Sequence, residues 1–202
     1  MAAQRQRGLL AVADITRLLH RVADRVASRG VSGRIYVVGG AAMASKYFPE
    51  GVERLATEDI DAVFSPVAEI GEEARLVARE EGLADDWFNN KVRGCLPPLD
   101  QPGGRLLFRV GKVEVVVAPP DLLLAMKLTV CRLGRDDEDI AVLVRHLGLT
   151  GIEECDELVE RMYLGEERIP PNRRSVVEAT FGEYRLTRAV PEVVLPPVDR
   201  RA

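Results

Sequence analysis

The chain has 202 residues, of which 47% are hydrophobic and 30% charged, and its formal net charge is −4 at pH 7. This composition is typical of a soluble globular protein with one domain and room for a small helical part, and it excludes fibrous and disordered classes. Because acids and bases are interspersed, a domain-wide basic surface for nucleic acid is also excluded.

The cysteines Cys95, Cys131 and Cys155 are far apart and have neither zinc-ligand nor CxxC spacing, so we expect reduced side chains used as small apolar residues. The first residues lack the apolar core of a signal peptide. No apolar run approaches the roughly 20 residues that span a bilayer. We therefore expect a cytoplasmic protein without a membrane partner.

Apolar periodicity, interrupted by glycine and proline, divides the first half of the chain into helices and strands. A helical stripe stops before Gly30, and a β-branched and aromatic segment ends at Gly39 and Gly40. The predicted elements are a helix over 8–29, a strand over 34–38, a short helix over 41–48, a loop over 49–58, a strand over 59–64 and a helix over 69–81.

The second half begins with a loop rich in proline and glycine and continues mainly as helices. The predicted elements are a loop over 96–104, strands over 105–110 and 112–118, and helices over 121–132, 136–147, 151–164 and 172–181. This order predicts an α+β fold with a small mixed sheet flanked by helices. We assign 1–148 to the main domain, 149–182 to a C-terminal helical part and 183–202 to a loosely ordered tail.

Two acids, Asp59 and Asp61, alternate along the second predicted strand. Residues i and i+2 of a strand point to one face, so the two carboxylates project side by side. Close carboxylates repel each other unless a cation neutralises them, and a hard divalent ion such as Mg²⁺ or Mn²⁺ suits oxygen ligands. The alternative is a solvated strand with two acids on its wet face.

Gly39 and Gly40 end the preceding strand at a helix start, where exposed backbone N–H groups can bind phosphate. The alternative is a tight turn without a ligand. Gly40 to Lys46 approaches a Walker A pattern, but Ser45 replaces its second glycine and Tyr47 replaces its magnesium-binding hydroxyl residue, so we reject a P-loop. A dinucleotide-binding G-x-G-x-x-G pattern is absent.

These segments together resemble the signature of the nucleotidyltransferase superfamily related to polymerase beta. The residues that carry the resemblance are Val38-Gly39-Gly40-Ala41-Ala42-Met43, Arg54, Thr57 and Asp59-Ile60-Asp61. They are similar to a group of small bacterial nucleotidyltransferases allied to the AbiEii-type toxins of toxin–antitoxin and phage-defence operons. The resemblance covers roughly residues 33–148. One departure is Ala41, where many active members carry serine.

The resemblance implies a nucleotidyltransferase-like fold and a set of site residues. Asp59 and Asp61 would bind the metal, and the implied nucleotide contacts are Gly39, Gly40, Arg54, Thr57 and Lys127. Superfamily enzymes usually carry a third carboxylate on a later strand. Glu114, the only acid on an otherwise apolar strand, is the candidate. The alternative for Glu114 is a hairpin acid that faces water.

Lys127 is the lone cation on an apolar predicted helix, and Asp136 and Asp139 open the next one. One interpretation is a structural salt bridge between Lys127 and one of these acids, since acids are favourable at a helix N-terminus. The resemblance provides the other, in which Lys127 contacts nucleotide phosphate and Asp136 supports the site. Both remain open.

Several other residues are candidates for acceptor contacts. Trp87 and Asn89 could contact a base or acceptor, although a lone tryptophan is more often a packing residue. Basic residues that could contact an RNA backbone, or else be solvated surface charges, are Arg54, Lys91, Arg93, Arg105 and Arg109.

The resemblance implies an enzyme that transfers NMP from an NTP to an acceptor hydroxyl, such as a tRNA 3′ end or another RNA, and releases pyrophosphate. A carboxylate or the metal would remove the hydroxyl proton. A toxin of this kind would have a cognate antitoxin protein as partner. The alternative is a catalytically silent nucleotide-binding or regulatory protein of the same fold, which Ala41 favours.

Overall fold

The computed structural model describes residues 9–46, 57–97, 103–130, 136–165 and 167–186. Within these ranges the chain is an α+β fold with a mixed five-stranded sheet, seven α-helices and a short 3₁₀ helix. The α+β class and the small mixed sheet expected from the sequence are confirmed. No helix in these ranges is long and apolar enough to cross a membrane.

The elements follow the predicted order with ends shifted by a few residues. The first half contains α1 (Val12–Ser28), β1 (Gly33–Val37), α2 (Gly39–Lys46), β2 (Ile60–Ser65), α3 (Val67–Glu81), β3 (Phe88–Asn89) and the 3₁₀ helix (Lys91–Cys95). The second half contains β4 (Arg105–Val110), β5 (Val113–Val117), α4 (Pro120–Val130), α5 (Asp137–Leu147), α6 (Ile152–Met162) and α7 (Pro171–Leu186).

Two short elements and the end of the last helix differ from the predicted elements. β3 and the 3₁₀ helix were not predicted, because two to five residues are too few to show a hydrophobic period. α7 continues to Leu186, so residues 183–186 are helical and do not belong to the predicted tail. The rest of that tail lies outside the described residues.

The sheet has the strand order β3-β2-β1-β5-β4. β1 is central, antiparallel to β2 and parallel to β5, while β3 is parallel to β2 and β4 antiparallel to β5. Val37 pairs with Ala62 on one side and with Val117 on the other. The end of β1 therefore meets the start of β2, and α2 begins beside that start.

Ion pairs join α1 to α3 on the outer side of their shared apolar contact. The arginines of α1 recur every four residues and so form one stripe: Arg17, Arg21, Arg25 and Arg29. Glu73 of α3 is 4% exposed and accepts hydrogen bonds from Arg25 Nε at 2.6 Å and Arg29 NH1 at 2.7 Å. Burial raises the pKa of Glu73, but these hydrogen bonds outweigh it, so its pKa lies below the ordinary value.

The C-terminal helices pack as a group against α4, which contacts both α5 and α6. Tyr163, just after α6, is buried and donates from its hydroxyl to the carbonyl of Cys95 at 2.8 Å. This hydrogen bond joins the helical part to the 3₁₀ helix that follows β3. Burial raises the pKa of the Tyr163 hydroxyl, consistent with a structural donor.

Candidate functional site

The bend between β1 and α2 has a backbone shape that requires glycine. Gly39 has a φ of +62°, in the left-handed region that residues with a Cβ rarely adopt. A Cβ at Gly39 would lie 3.2 Å from Asp61 Oδ2, so the carboxylate of Asp61 rests directly against this bend. The N–H of Val38 donates to the backbone carbonyl of Asp61 at 2.9 Å and fixes the two segments together.

Thr57 occupies the corresponding position beside Gly40. A Cβ at Gly40 would lie 3.3 Å from Thr57 Oγ1, and that hydroxyl donates to the backbone carbonyl of Asp59 at 2.8 Å. The carbonyl of Thr57 accepts a hydrogen bond from the N–H of Leu10, also at 2.8 Å. Thr57 therefore braces the turn that precedes β2 against both the glycine bend and the start of the described chain.

Asp59 lies just before β2 and not within it, contrary to the predicted strand over 59–64. Its Oδ2 accepts a hydrogen bond from Asn89 Nδ2 at 3.3 Å. Asn89 is also the register partner of Asp61 in the parallel β2–β3 pair, so this residue lies next to both aspartates. Asn89 is 8% exposed, and its Oδ1 accepts from the N–H of Lys91 at 3.1 Å, which fixes the orientation of the amide.

The structure thus assembles five sequence-predicted site residues around one end of the sheet: Gly39, Gly40, Thr57, Asp59 and Asp61. Both aspartates are partly accessible. The sequence singled out Asn89 for base or acceptor contacts, but missed its hydrogen bond to Asp59. That contact arises because β3 pairs with β2, and nothing local in a two-residue strand predicts the pairing.

Glu114 lies too far from Asp61 to be the third metal-binding carboxylate that the resemblance implied. It pairs in register with Arg34 of β1 and is ion-paired with Arg109 across the hairpin. Asp61 lies at the level of Val38, four residues further along the chain than Arg34. Four residues of strand span about 13 Å. A carboxylate that far away cannot share with Asp61 an ion whose ligands lie at about 2 Å. The residue at the level of the aspartates on this side of β1 is Ala118, directly after β5, and its side chain has no ligand atom.

Lys127 adopts the geometry of the structural salt bridge. Its Nζ lies 2.7 Å from Asp136 Oδ1 and 2.6 Å from Asp139 Oδ2. The side chains of Lys127 and Asp139 are 10% and 2% exposed. A phosphate contact by Lys127, or support of the aspartate pair by Asp136, would compete with this buried arrangement.

The remaining candidates are a packing tryptophan, one arginine outside the described residues and four exposed cations: Lys91, Arg93, Arg105 and Arg109. Trp87 is 2% exposed and donates from Nε1 to the carbonyl of Ala74 at 3.0 Å, so it is a packing residue with no open stacking face. Burial raises the pKa of the Cys155 thiol to about 12, which leaves it protonated and unreactive. Arg54 and Cys131 lie outside the described residues.

The donor chemistry at the end of the sheet suits a hard divalent ion. The Asp59 carboxylate accepts from the Asn89 amide, and the Asp61 carboxylate lies at the glycine bend. Mg²⁺ commonly takes one or two carboxylates and completes its shell with water and substrate phosphates. Among the described residues, no cluster of three or more acidic, histidine or cysteine side chains could hold a metal. An ion bound here would therefore rely on a second ligand for its remaining oxygens.

Comparisons with protein-family models, with curated proteins and with solved structures gave no match to this chain.

Proposed function

We propose that this protein is a metal-dependent nucleotidyltransferase with a nucleotidyltransferase-like fold, in which Asp59 and Asp61 bind Mg²⁺ or Mn²⁺. The observation that carries the proposal is the contact between the Asp61 carboxylate and the Gly39 bend. That contact brings a carboxylate that suits a divalent ion next to a glycine bend that suits phosphate, and an NTP–metal complex needs both.

The bound ion would neutralise the triphosphate and lower the pKa of the attacking hydroxyl. The chain's own residues supply placement: Asn89 orients Asp59, Thr57 holds the turn, and the Gly39–Gly40 backbone approaches the phosphates without side-chain obstruction. The acceptor oxygen forms a bond to the α-phosphorus while the bond from the α-phosphorus to the β-bridging oxygen breaks. Pyrophosphate leaves, and the hydroxyl proton passes to a carboxylate of the pair.

The acceptor and the biological setting are supported by the sequence resemblance alone. It favours an RNA 3′ end, such as that of a tRNA, as acceptor and a cytoplasmic toxin with a cognate antitoxin protein as the setting. Lys127 and Asp136 take a structural part in this proposal, because their ion pair already accounts for their positions.

The proposal is tested by incubating the protein with each α-labelled NTP, Mg²⁺ and total cellular RNA. We expect label transfer that chelation of the metal stops and that Asp61→Asn abolishes. Asp24→Asn, the same chemical change on the exposed side of α1, is the matched control and should transfer label normally. A transfer reaction that survives Asp61→Asn would contradict the proposal.

Asn89→Ala provides an intermediate test of the same site. Removing a partner that orients a metal ligand typically weakens metal binding by about 10- to 100-fold. Titration with Mn²⁺, followed by electron paramagnetic resonance, should show this loss while Asp24→Asn binds as the parent protein does. Unchanged Mn²⁺ affinity would contradict the proposal that Asn89 orients Asp59 as a metal ligand.

A catalytically silent nucleotide-binding protein is the second candidate, and Ala41 is the observation that favours it. Ala41 is 1% exposed in the first turn of α2, where many active members of the resembled group carry a serine hydroxyl. Metal-dependent NTP binding without transfer to any RNA in the same experiment would support this candidate.

A further inference from the structure

A second feature lies at the opposite end of the sheet from the glycine bend. There the start of β1, the end of β2 and the β4–β5 turn enclose an open cleft of about 620 Å³. The polar and charged residues that line it are Ser32, Arg34, Ser65, Arg109, Lys112 and Glu114. Of the candidate site residues, Glu114 and the candidate RNA contact Arg109 line this cleft, whereas the aspartate pair and the glycine bend do not.

The cleft is cationic although the whole chain is acidic. Three cations, Arg34, Arg109 and Lys112, are exposed around it, and among the described residues Glu114 is the one carboxylate in its lining. The local balance is thus +2 in a chain whose formal net charge is −4. Guanidinium and ammonium groups that share one concave surface repel each other, so an anion with more than one charge would stabilise them.

The two arginines are held in place by contacts within the fold. The guanidinium of Arg34 lies 5.8 Å from the centroid of the Tyr36 ring, which is fully buried. Arg109 is held by Glu114, its register partner on β5. Held guanidinium groups lose less conformational entropy when they bind an oxyanion than free surface side chains do.

The floor of the cleft is close-packed backbone. A Cβ at Gly33 would lie 3.1 Å from the carbonyl oxygen of Ser65, so glycine keeps β1 and the end of β2 in contact there. The hydroxyl side chains of Ser32 and Ser65 line the cleft next to the cations. Hydroxyls and guanidinium groups together are the donors that recognise phosphate oxygens.

We propose that this cleft is a phosphate-binding site separate from the aspartate pair. Ser65 lies four residues along β2 from Asp61, a separation of about 13 Å. The site therefore does not require the metal, the glycine bend or nucleotidyl transfer. Its ligand chemistry is a multiply charged phosphate, carried either by a free polyphosphate or by the backbone of a polynucleotide.

The experiment uses the full chain with Asp61→Asn, so that binding at the aspartate pair does not contribute. Inorganic pyrophosphate is titrated by calorimetry, and a fluorescein-labelled oligouridylate by fluorescence anisotropy over a series of salt concentrations. Arg34→Gln with Lys112→Gln should weaken binding about tenfold at low salt and reduce the slope of log affinity against log salt by about two. Arg75→Gln with Arg79→Gln, which removes two exposed cations from α3, is the matched control and should change neither quantity.

Glu114→Gln separates anion binding from a structural role of the cleft. Removing the carboxylate adds one net positive charge and removes the anion that competes for Arg109. This gain exceeds the loss of the contact that positions Arg109, so binding of both probes should strengthen by a few-fold. The source of the phosphate is identified by the probe that binds the Asp61→Asn chain with the higher affinity: pyrophosphate indicates a free polyphosphate, and the oligouridylate indicates a polynucleotide backbone. The proposal is overturned if the Arg34 and Lys112 changes leave both affinities unaltered, if the α3 control weakens them equally, or if Glu114→Gln weakens them.

Discussion

Two groups of aspartates in this chain are held by different kinds of neighbour. Asp136 and Asp139 both contact the ammonium of Lys127 within 2.7 Å, and this contact joins α4 to α5. Asp59 and Asp61 border a glycine bend and the Asn89 amide at the end of the sheet. The first group is organised by charge pairing, and the second by a backbone shape that lets a carboxylate come close.

This difference separates residues that hold the fold from residues that are candidates for chemistry. A buried ion pair stabilises its surroundings only while both partners are present, so removing one is costly. A partly accessible carboxylate beside a bend can change its ligand without disturbing the core. Substitutions in the first group should therefore change stability, and substitutions in the second should change metal binding.

Lys127→Met should lower the free energy of unfolding by about 3–5 kcal/mol, because it leaves the buried carboxylate of Asp139 and the partly buried carboxylate of Asp136 without their cation. Lys91→Met is the matched control. Lys91 pairs with Asp86 at 3.1 Å, but its side chain is 69% exposed, and exposed pairs contribute less than about 1 kcal/mol. Urea denaturation followed by circular dichroism measures both. Equal losses of unfolding free energy for the two variants would contradict this prediction, since Lys127 would then behave as a surface charge.

Glu73→Gln should cost about 1.5–3 kcal/mol at neutral pH, because two charge-assisted hydrogen bonds from α1 are weakened. The pKa of Glu73 is below its ordinary value in the folded protein, so its stabilising contribution is present above pH 4.5 and is lost as the pH falls through the folded pKa. The unfolding free energy of the parent should therefore fall more steeply below pH 4.5 than that of Glu73→Gln.

The control for Glu73 is Glu72→Gln, which changes an exposed neighbour that contacts only one of the same arginines among the pairs described. It should keep the parental pH dependence at acidic pH. If Glu73→Gln keeps it as well, another group governs acid stability, and α1 and α3 are not joined in the way the Lys127 cluster joins α4 and α5.

Gly39→Ala should strain the backbone and also displace the Asp61 carboxylate, and Gly82→Ala should only strain the backbone. Gly39 and Gly82 both have positive φ, so alanine at either position should cost about 1–2 kcal/mol of stability. Nothing lies within 4 Å of a Cβ at Gly82, whereas a Cβ at Gly39 meets the Asp61 carboxylate at 3.2 Å. Mn²⁺ affinity should therefore fall for Gly39→Ala and not for Gly82→Ala. A parallel loss, or none, would show that the contact between bend and aspartate has no bearing on metal binding.

Local sequence signals were enough to predict most of the helices and strands. The apolar stripe of α1, the β-branched segment before Gly39 and the hairpin around Gly111 are each recorded within a few neighbouring residues. The two aspartates and the glycines also lie on consecutive elements, so their approach needed only one strand pairing, between β1 and β2. Such short-range information is what periodicity and turn residues carry.

Contacts that depend on register and strand order form only when the strands pair in the tertiary structure. Glu114 lies on β5 and Ala118 directly follows that strand, and only the pairing of β5 with β1 puts the alanine at the level of the aspartates and the glutamate at the far end. The pairing of β3 with β2 likewise brings Asn89 to Asp59. A strand with a period of two records which face a residue occupies but not how far along its neighbour it lies, so distance between sites is fixed only when the strands pair.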